Sequence, residues 1–139
     1  SSEFNKTKNT VVGLMTEWIK DNIKILRSLS SDKGGTMRLG SYLCKIKKGT
    51  LVNKIYGKTT IYERHRHRYE VNKKFMKKFE SKGFIFSGMS PDNLLPEILE
   101  SKKHKWFVGV QFHPELKSRP QNPHPLFISF IKACISKSN

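Results

Sequence analysis

His113 and Glu115 are separated only by Pro114, at the end of the run Trp106 to Glu115, WFVGVQFHPE. A carboxylate two residues past an imidazole is close enough to accept a hydrogen bond from one ring nitrogen. The other nitrogen is then left as a base. That pair is the base and its orienter in a relay that still requires a nucleophile. The competing reading is an ordinary surface turn after a core strand. The element that presents the pair is written in the residues before it. Trp106, Phe107, Val108, Val110 and Phe112 are β-formers, and so continuous an apolar run predicts a strand covered on both faces. His113 would stand at the strand's end, where α/β folds carry their working groups, with Pro114 stiffening the exit.

A relay in an α/β fold places its nucleophile on a sharp strand-to-helix turn between small residues, as in G-x-C-x-G or G-x-S-x-G. Cys44 lies in YLCKI and Cys134 in KACIS, and no serine has such flanks either. Either His113 is no base, or the nucleophile lies outside this chain. Both cysteines read as buried thiols, and their spacing suggests neither a metal site nor a disulfide.

Other segments carry charge in ordered patterns. In an extended RHRHR run, alternation sets Arg64, Arg66 and Arg68 on one face and His65 and His67 on the other. A guanidinium fork binds carboxylate bidentately, although for Arg64 and Arg66 a structural ion pair is the simpler role. His65 and His67 have H-x-H metal spacing, with no third ligand evident. The loop SSDKGGTMRLG pairs glycines with Lys33 and Arg38, which suits approach to an anionic ligand or closure over a site. A purely structural loop competes equally.

The supporting elements follow from periodicity and punctuation. Val11 to Met15 and Asp21 to Leu29 read as strands, and Met37 to Ile46 as a strand pair or one long bent strand around Gly40. Thr50 to Tyr56 predicts a short helix and Thr59 to Val71 an extended segment. Asn72 is placed to cap a helix through Lys82, with Gly83 just past its end. Phe84 to Ser87 and Leu95 to Leu99 predict strands around a turn at Ser90 to Asn93. Pro125 at a first helical position opens a last helix, from Leu126 to about Ser136. This mixed α/β pattern has too few helices for a complete doubly wound domain.

The chain has 139 residues, 36% of them hydrophobic, and a net charge of +16. No apolar run is long enough to cross a membrane, and no signal peptide opens the sequence, so a cytoplasmic protein is expected. The lysines are spread through KTK, KIKK, KKFMKK and SKKHK without a nucleic-acid-binding motif. A solvated lysine surface explains them better than nucleic acid as a partner.

GGTMRLG (Gly34 to Gly40), ERHRHRYEVN (Glu63 to Asn72), VGVQFHPELKSRP (Val108 to Pro120) and HPLF (His124 to Phe127) occur in that order. The His-Pro-Glu block resembles the class I glutamine amidotransferases. The combination closely resembles the C-terminal part of the glutaminase domain in the CTP synthase family, over almost the whole chain from SSEF onward. The resemblance implies the strand-rich C-terminal portion of a three-layer, flavodoxin-like α/β domain. The family's nucleophilic cysteine precedes the segment matched by Ser1, so residues 1–139 are expected to lack it and to be inactive alone.

By the same resemblance, His113 and Glu115 are the catalytic pair, while Glu3 and Arg68 bind L-glutamine through its ammonium and carboxylate. No metal ligand is implied in this segment. ATP and magnesium belong to a separate synthetase domain, GTP to allosteric activation through the glycine-rich loop, and the whole enzyme to a homo-oligomer, a tetramer. The alternatives are the glutaminase part of another class I amidotransferase, a non-catalytic regulatory relative, or a basic nucleic-acid-binding module.

Overall fold

The computed structural model describes residues 1, 4, 9–14 and 37–136. The expected strand at Asp21 to Leu29, the loop from Ser30 to Gly35 and Glu3 lie outside the described residues.

Three helices and seven strands organise the described chain. A short strand β1 (Val12–Leu14) pairs antiparallel with β4 (Tyr69–Val71) in a two-stranded sheet. The larger sheet has the order β3-β2-β5-β6-β7, built from β2 (Arg38–Ile46), β3 (Thr60–His67), β5 (Phe84–Met89), β6 (Pro96–Ser101) and β7 (Val108–Val110). Every pairing in it is antiparallel. This differs from the doubly buried strand expected at Trp106 to His113. Only Val108–Val110 is strand, it pairs with β6, and all of its residues are half-buried. Phe107 is exposed. The aromatic residues instead pack sideways, Phe107 against Phe84 and Trp106 against Phe130, so apolarity here reflects edge packing rather than burial on two faces.

β2 runs unbroken past Gly40, which has a positive φ of 105° and still pairs with His65. The single bent strand is therefore the form adopted, and glycine relieves the steric cost of that backbone angle. β3 and β4 divide the expected extended segment at Arg68, and the two strands enter different sheets.

Helix α1 (Leu51–Tyr56) starts at Thr50, whose side chain accepts from the Asn53 N–H. The Glu100 carboxylate takes the N–H groups of Leu51 and Val52 at 2.9 and 3.1 Å. Those donors have no partner inside the helix, so Glu100 anchors α1 to β6. Asn72 caps a 3-10 turn (Lys73–Phe75) before α2 (Met76–Glu80), a tighter and shorter element than the helix expected through Lys82. Helix α3 (Pro125–Ile135) carries Pro125 in its first turn and His124 as its N-cap.

The core joins Cys44, Ile46, Val52, Ile61, Ile98, Phe112 and Leu126. Gly88 is required here: a Cβ would meet Ile98 Cγ1 at 2.5 Å and Cys44 Sγ at 2.9 Å. Cys44 is buried as expected, but Cys134 is exposed on α3. The same helix exposes Phe127, Ile128, Phe130, Ile131 and Ile135, because within the described residues only its Leu126 end packs fully into the core.

Candidate active site

The backbone sets the His-Pro-Glu turn before any side chain acts. The His113 N–H donates to the Arg64 carbonyl at 2.8 Å, fastening the turn to β3. Pro114 then opens a 3-10 turn, Pro114–Lys117, which brings Glu115 back toward the imidazole. His113 Nδ1 lies 2.7 Å from Glu115 Oε1. The hydrogen bond from His113 holds the Glu115 carboxyl below its ordinary pKa, so it is an ionised acceptor. Nδ1 is then the donor, and Nε2 is the nitrogen that can act as a base in the neutral ring. Both side chains reach solvent, so a base at Nε2 is open to a reactant.

The arginines and histidines of β3 separate onto opposite faces as alternation requires. Arg64 and Arg66 are exposed, His65 is buried and His67 half-buried, and Arg68, just past the strand, is also exposed. Among the described residues none of the three arginines pairs with a carboxylate, so the expected structural ion pairs of Arg64 and Arg66 are not formed there. Arg68 stands at the break between β3 and β4 and makes no ion pair with a carboxylate among the described residues. Glu3, the other expected contact for glutamine, is outside the described residues.

Arg38 departs from the expectation that it approaches an anionic ligand. It is buried, with Nη1 2.8 Å from Glu97 Oε1 and 3.7 Å from Glu70 Oε1, and its guanidinium lies 4.5 Å from the Tyr42 ring centroid. Two buried carboxyls outcompete solvent for it. His65 and His67, which have H-x-H spacing, face each other, with His65 Nδ1 and His67 Nε2 bonded at 2.7 Å. No group of three candidate metal ligands occurs among the described residues, and the acidic cluster is filled by the Arg38 cation.

Sequence reasoning missed Gln111. Its side-chain oxygen accepts from the Val71 N–H at 3.1 Å, and its amide nitrogen donates to Glu70 Oε2 at 2.9 Å and to the Pro96 carbonyl. Gln111 and His113 thus tie both ends of the Arg64–Val71 segment to the strand exit that carries the imidazole. Only its placement inside the VQFHPE block signalled it.

A second polar cluster lies beside a cavity of about 460 Å³ lined in part by Tyr56, Glu63, Lys117 and His124. Glu63 accepts from Tyr56 Oη at 3.0 Å and contacts His124 Nε2 at 3.1 Å. Burial raises the Glu63 pKa, but the His124 bond, Lys117 and Tyr56 together leave it lowered. This cluster joins α1 to the α3 N-terminus.

Residues 10–133 match the model of the glutamine amidotransferase class-I family, and the chain belongs to that family. Curated relatives that it matches include CTP synthases. It is 59% identical over 138 residues to that of Hyphomonas neptunium and 59% identical to that of Rhizobium leguminosarum bv. trifolii, in each case over 99% of this chain. The chain spans about a quarter of those relatives, 25% and 26% of their lengths. It also matches the glutaminase domain of Trypanosoma brucei CTPS with bound acivicin, at TM-score 0.80 and 32% identity. That match covers all of this chain and 51% of the other. A putative GMP synthase protein from Thermoplasma acidophilum, at TM-score 0.53, 18% identity and 73% coverage of this chain, shares the fold. No helix among the described residues is long and apolar enough to cross a membrane.

Proposed function

We propose that this chain is the C-terminal part of the glutaminase domain of a CTP synthase and works with an upstream segment that supplies the nucleophilic cysteine. The observation that carries the reading is the 2.7 Å contact of His113 Nδ1 with Glu115, which leaves Nε2 as an accessible base. Nε2 takes the thiol proton as sulfur attacks the side-chain amide carbon of L-glutamine. The resulting imidazolium returns that proton to the departing ammonia, and water then cleaves the thioester to glutamate. Glu115 stabilises the imidazolium between those steps. Arg68 holds the glutamine carboxylate through a charge-assisted pair, and Glu3 takes its ammonium group.

The ammonia would pass to a synthetase domain, where ATP with magnesium phosphorylates UTP and ammonia displaces the phosphate to give CTP. GTP would activate the glutaminase step, and the enzyme would assemble as a cytoplasmic homotetramer. The exposed apolar face of α3, from Phe127 to Ile135, supports a further layer of the domain packing there, since a patch of this kind marks a contact surface. The test is reconstitution. The purified 139-residue chain should not hydrolyse glutamine, and co-expression with the upstream segment should restore hydrolysis. Turnover by the chain alone would overturn the division of labour.

A further inference from the structure

Behind the exposed arginine face lies a closed, buried polar ring. Glu97 Oε2 faces His65 Nε2 at 3.3 Å, and His65 Nδ1 meets His67 Nε2 at 2.7 Å. His67 Nδ1 meets the Tyr69 carbonyl at 2.9 Å and Glu70 Oε1 at 3.6 Å. Arg38 closes the ring between Glu70 and Glu97. β2, β3, β4 and β6 each contribute a charged or titratable group, Gln111 bonds Glu70 from beyond β7, and His113 adds a field from outside when it is protonated.

Hydrogen-bond direction around the ring is determined by one fixed acceptor. The Tyr69 carbonyl can only accept, so His67 Nδ1 carries a proton and donates it. Neutral His67 then offers Nε2 as an acceptor, so His65 Nδ1 is the donor between the rings. His65 Nε2 is left as an acceptor facing Glu97 Oε2. Both atoms are buried and neither has a hydrogen-bond partner as placed, and two bare acceptors at that distance would repel. A single proton between them satisfies both. On His65 it would create a buried ion pair and a second buried cation in the ring that holds Arg38, whereas on Glu97 Oε2 it leaves both groups neutral. The reverse direction would require His67 as an imidazolium close to the Arg38 guanidinium, whose charge opposes it.

We propose that Glu97 is a neutral carboxylic acid that donates to His65, and that the proton-ordered chain Glu97–His65–His67–Tyr69 positions Arg68 for its substrate carboxylate. The first half stands on the ring alone. The second rests on Arg68 being the carboxylate clamp. Burial, reinforced by Arg38 and neighbouring histidines, pushes His65 down to about 3, and burial raises Glu97 against the pull of Arg38. Both shifts agree with the neutral assignment. His67 bridges Arg68 by bonding the carbonyl of the next residue, so the chain constrains the backbone where β3 breaks into β4.

The assignment predicts which substitutions are silent. In Glu97→Gln the amide oxygen still accepts from Arg38 and the amide nitrogen still donates to His65. In His67→Asn the amide nitrogen can replace Nδ1 as donor to Tyr69. His67→Gln can replace only Nε2 and loses the Tyr69 tether. In the reconstituted glutamine-dependent enzyme, Glu97→Gln should keep the glutamine KM within about twofold, while His67→Asn, which keeps the Tyr69 tether but loses the His65 link, should raise it by less than His67→Gln does. His67→Gln should raise it about fivefold to tenfold, the range for one net hydrogen bond, with kcat and ammonia-dependent synthesis little changed. Nitrogen-15 NMR of the imidazoles should show both rings neutral and protonated at Nδ1 at neutral pH.

A His65 imidazolium, or a Glu97→Gln variant as impaired as Glu97→Ala, would overturn the neutral acid. A normal KM in His67→Gln, alongside a raised KM in Arg68→Ala, would overturn the positioning role alone. A normal KM in Arg68→Ala would remove the clamp, and with it the positioning role, while NMR still decides the protonation.

Discussion

The backbone N–H of His113 donates to the carbonyl oxygen of Arg64 at 2.8 Å. This one bond joins the imidazole-bearing turn to the strand whose outer face carries the arginines. Seven residues past Arg64, the Val71 N–H is tied to the Gln111 side chain. Arg68 therefore lies on a segment held at both ends by the residues that lead into the His-Pro-Glu turn. In the proposed glutaminase site, the base and the carboxylate clamp belong to one braced unit.

His113→Ala should abolish glutamine-dependent CTP formation in the reconstituted enzyme and spare synthesis from free ammonia. Glu115→Gln should be milder, because the amide oxygen still accepts from Nδ1 but no full charge supports the imidazolium. A loss of one to a few powers of ten in kcat, about 1.4 kcal/mol for each, fits that role. Parallel assays with glutamine and with ammonia check both variants, and near-normal glutamine turnover in His113→Ala would end the relay.

Arg68→Ala should mainly raise the glutamine KM. A lost charge-assisted hydrogen bond is worth about 1.5–3 kcal/mol, or roughly tenfold to a hundredfold. Since Arg68 is exposed and makes no ion pair among the described residues, melting temperature should hardly change. If glutamine- and ammonia-dependent rates fell together, Arg68 would be structural.

The two thiols should differ sharply in reactivity. Burial pushes the Cys44 thiol up to about 12, and its side chain is fully enclosed, whereas Cys134 is exposed. A thiolate-specific reagent applied to the folded chain at neutral pH should modify Cys134 and leave Cys44 until denaturant is added. Mass spectrometry of the labelled peptides reads the outcome, and prompt labelling of Cys44 would contradict the core packing around Ile98.

Glu70 should make stability fall as pH rises from its ordinary carboxyl range toward neutrality. Burial raises it from 4.5 to about 7 despite the opposing pull of Arg38. Between those values the folded state binds the proton that the unfolded chain has released, so increasing pH favours unfolding by on the order of 3 kcal/mol at most. Glu70→Gln should remove that part of the slope. Urea unfolding across this window tests it, and identical slopes for the two proteins would refute the assignment.

Local residue patterns determined a definite part of this protein. Period-two alternation set Arg64 and Arg66 opposite His65 and His67, because a strand turns each side chain over from the last. Pro125 and Asn72 marked real element starts through their own backbone and capping chemistry. The His-Pro-Glu spacing was enough to bring an imidazole and a carboxylate together, since a single tight turn closes that distance. Tertiary structure decided what no window of residues contains. Arg38 looked like a surface cation until Glu70 and Glu97 converged on it from β4 and β6. Trp106 and Phe107 looked like core strand until the sheet ended in a short edge. Cys134 looked buried until α3 kept that face outside the described core. Burial and charge pairing depend on partners tens of residues away, which only the folded chain selects.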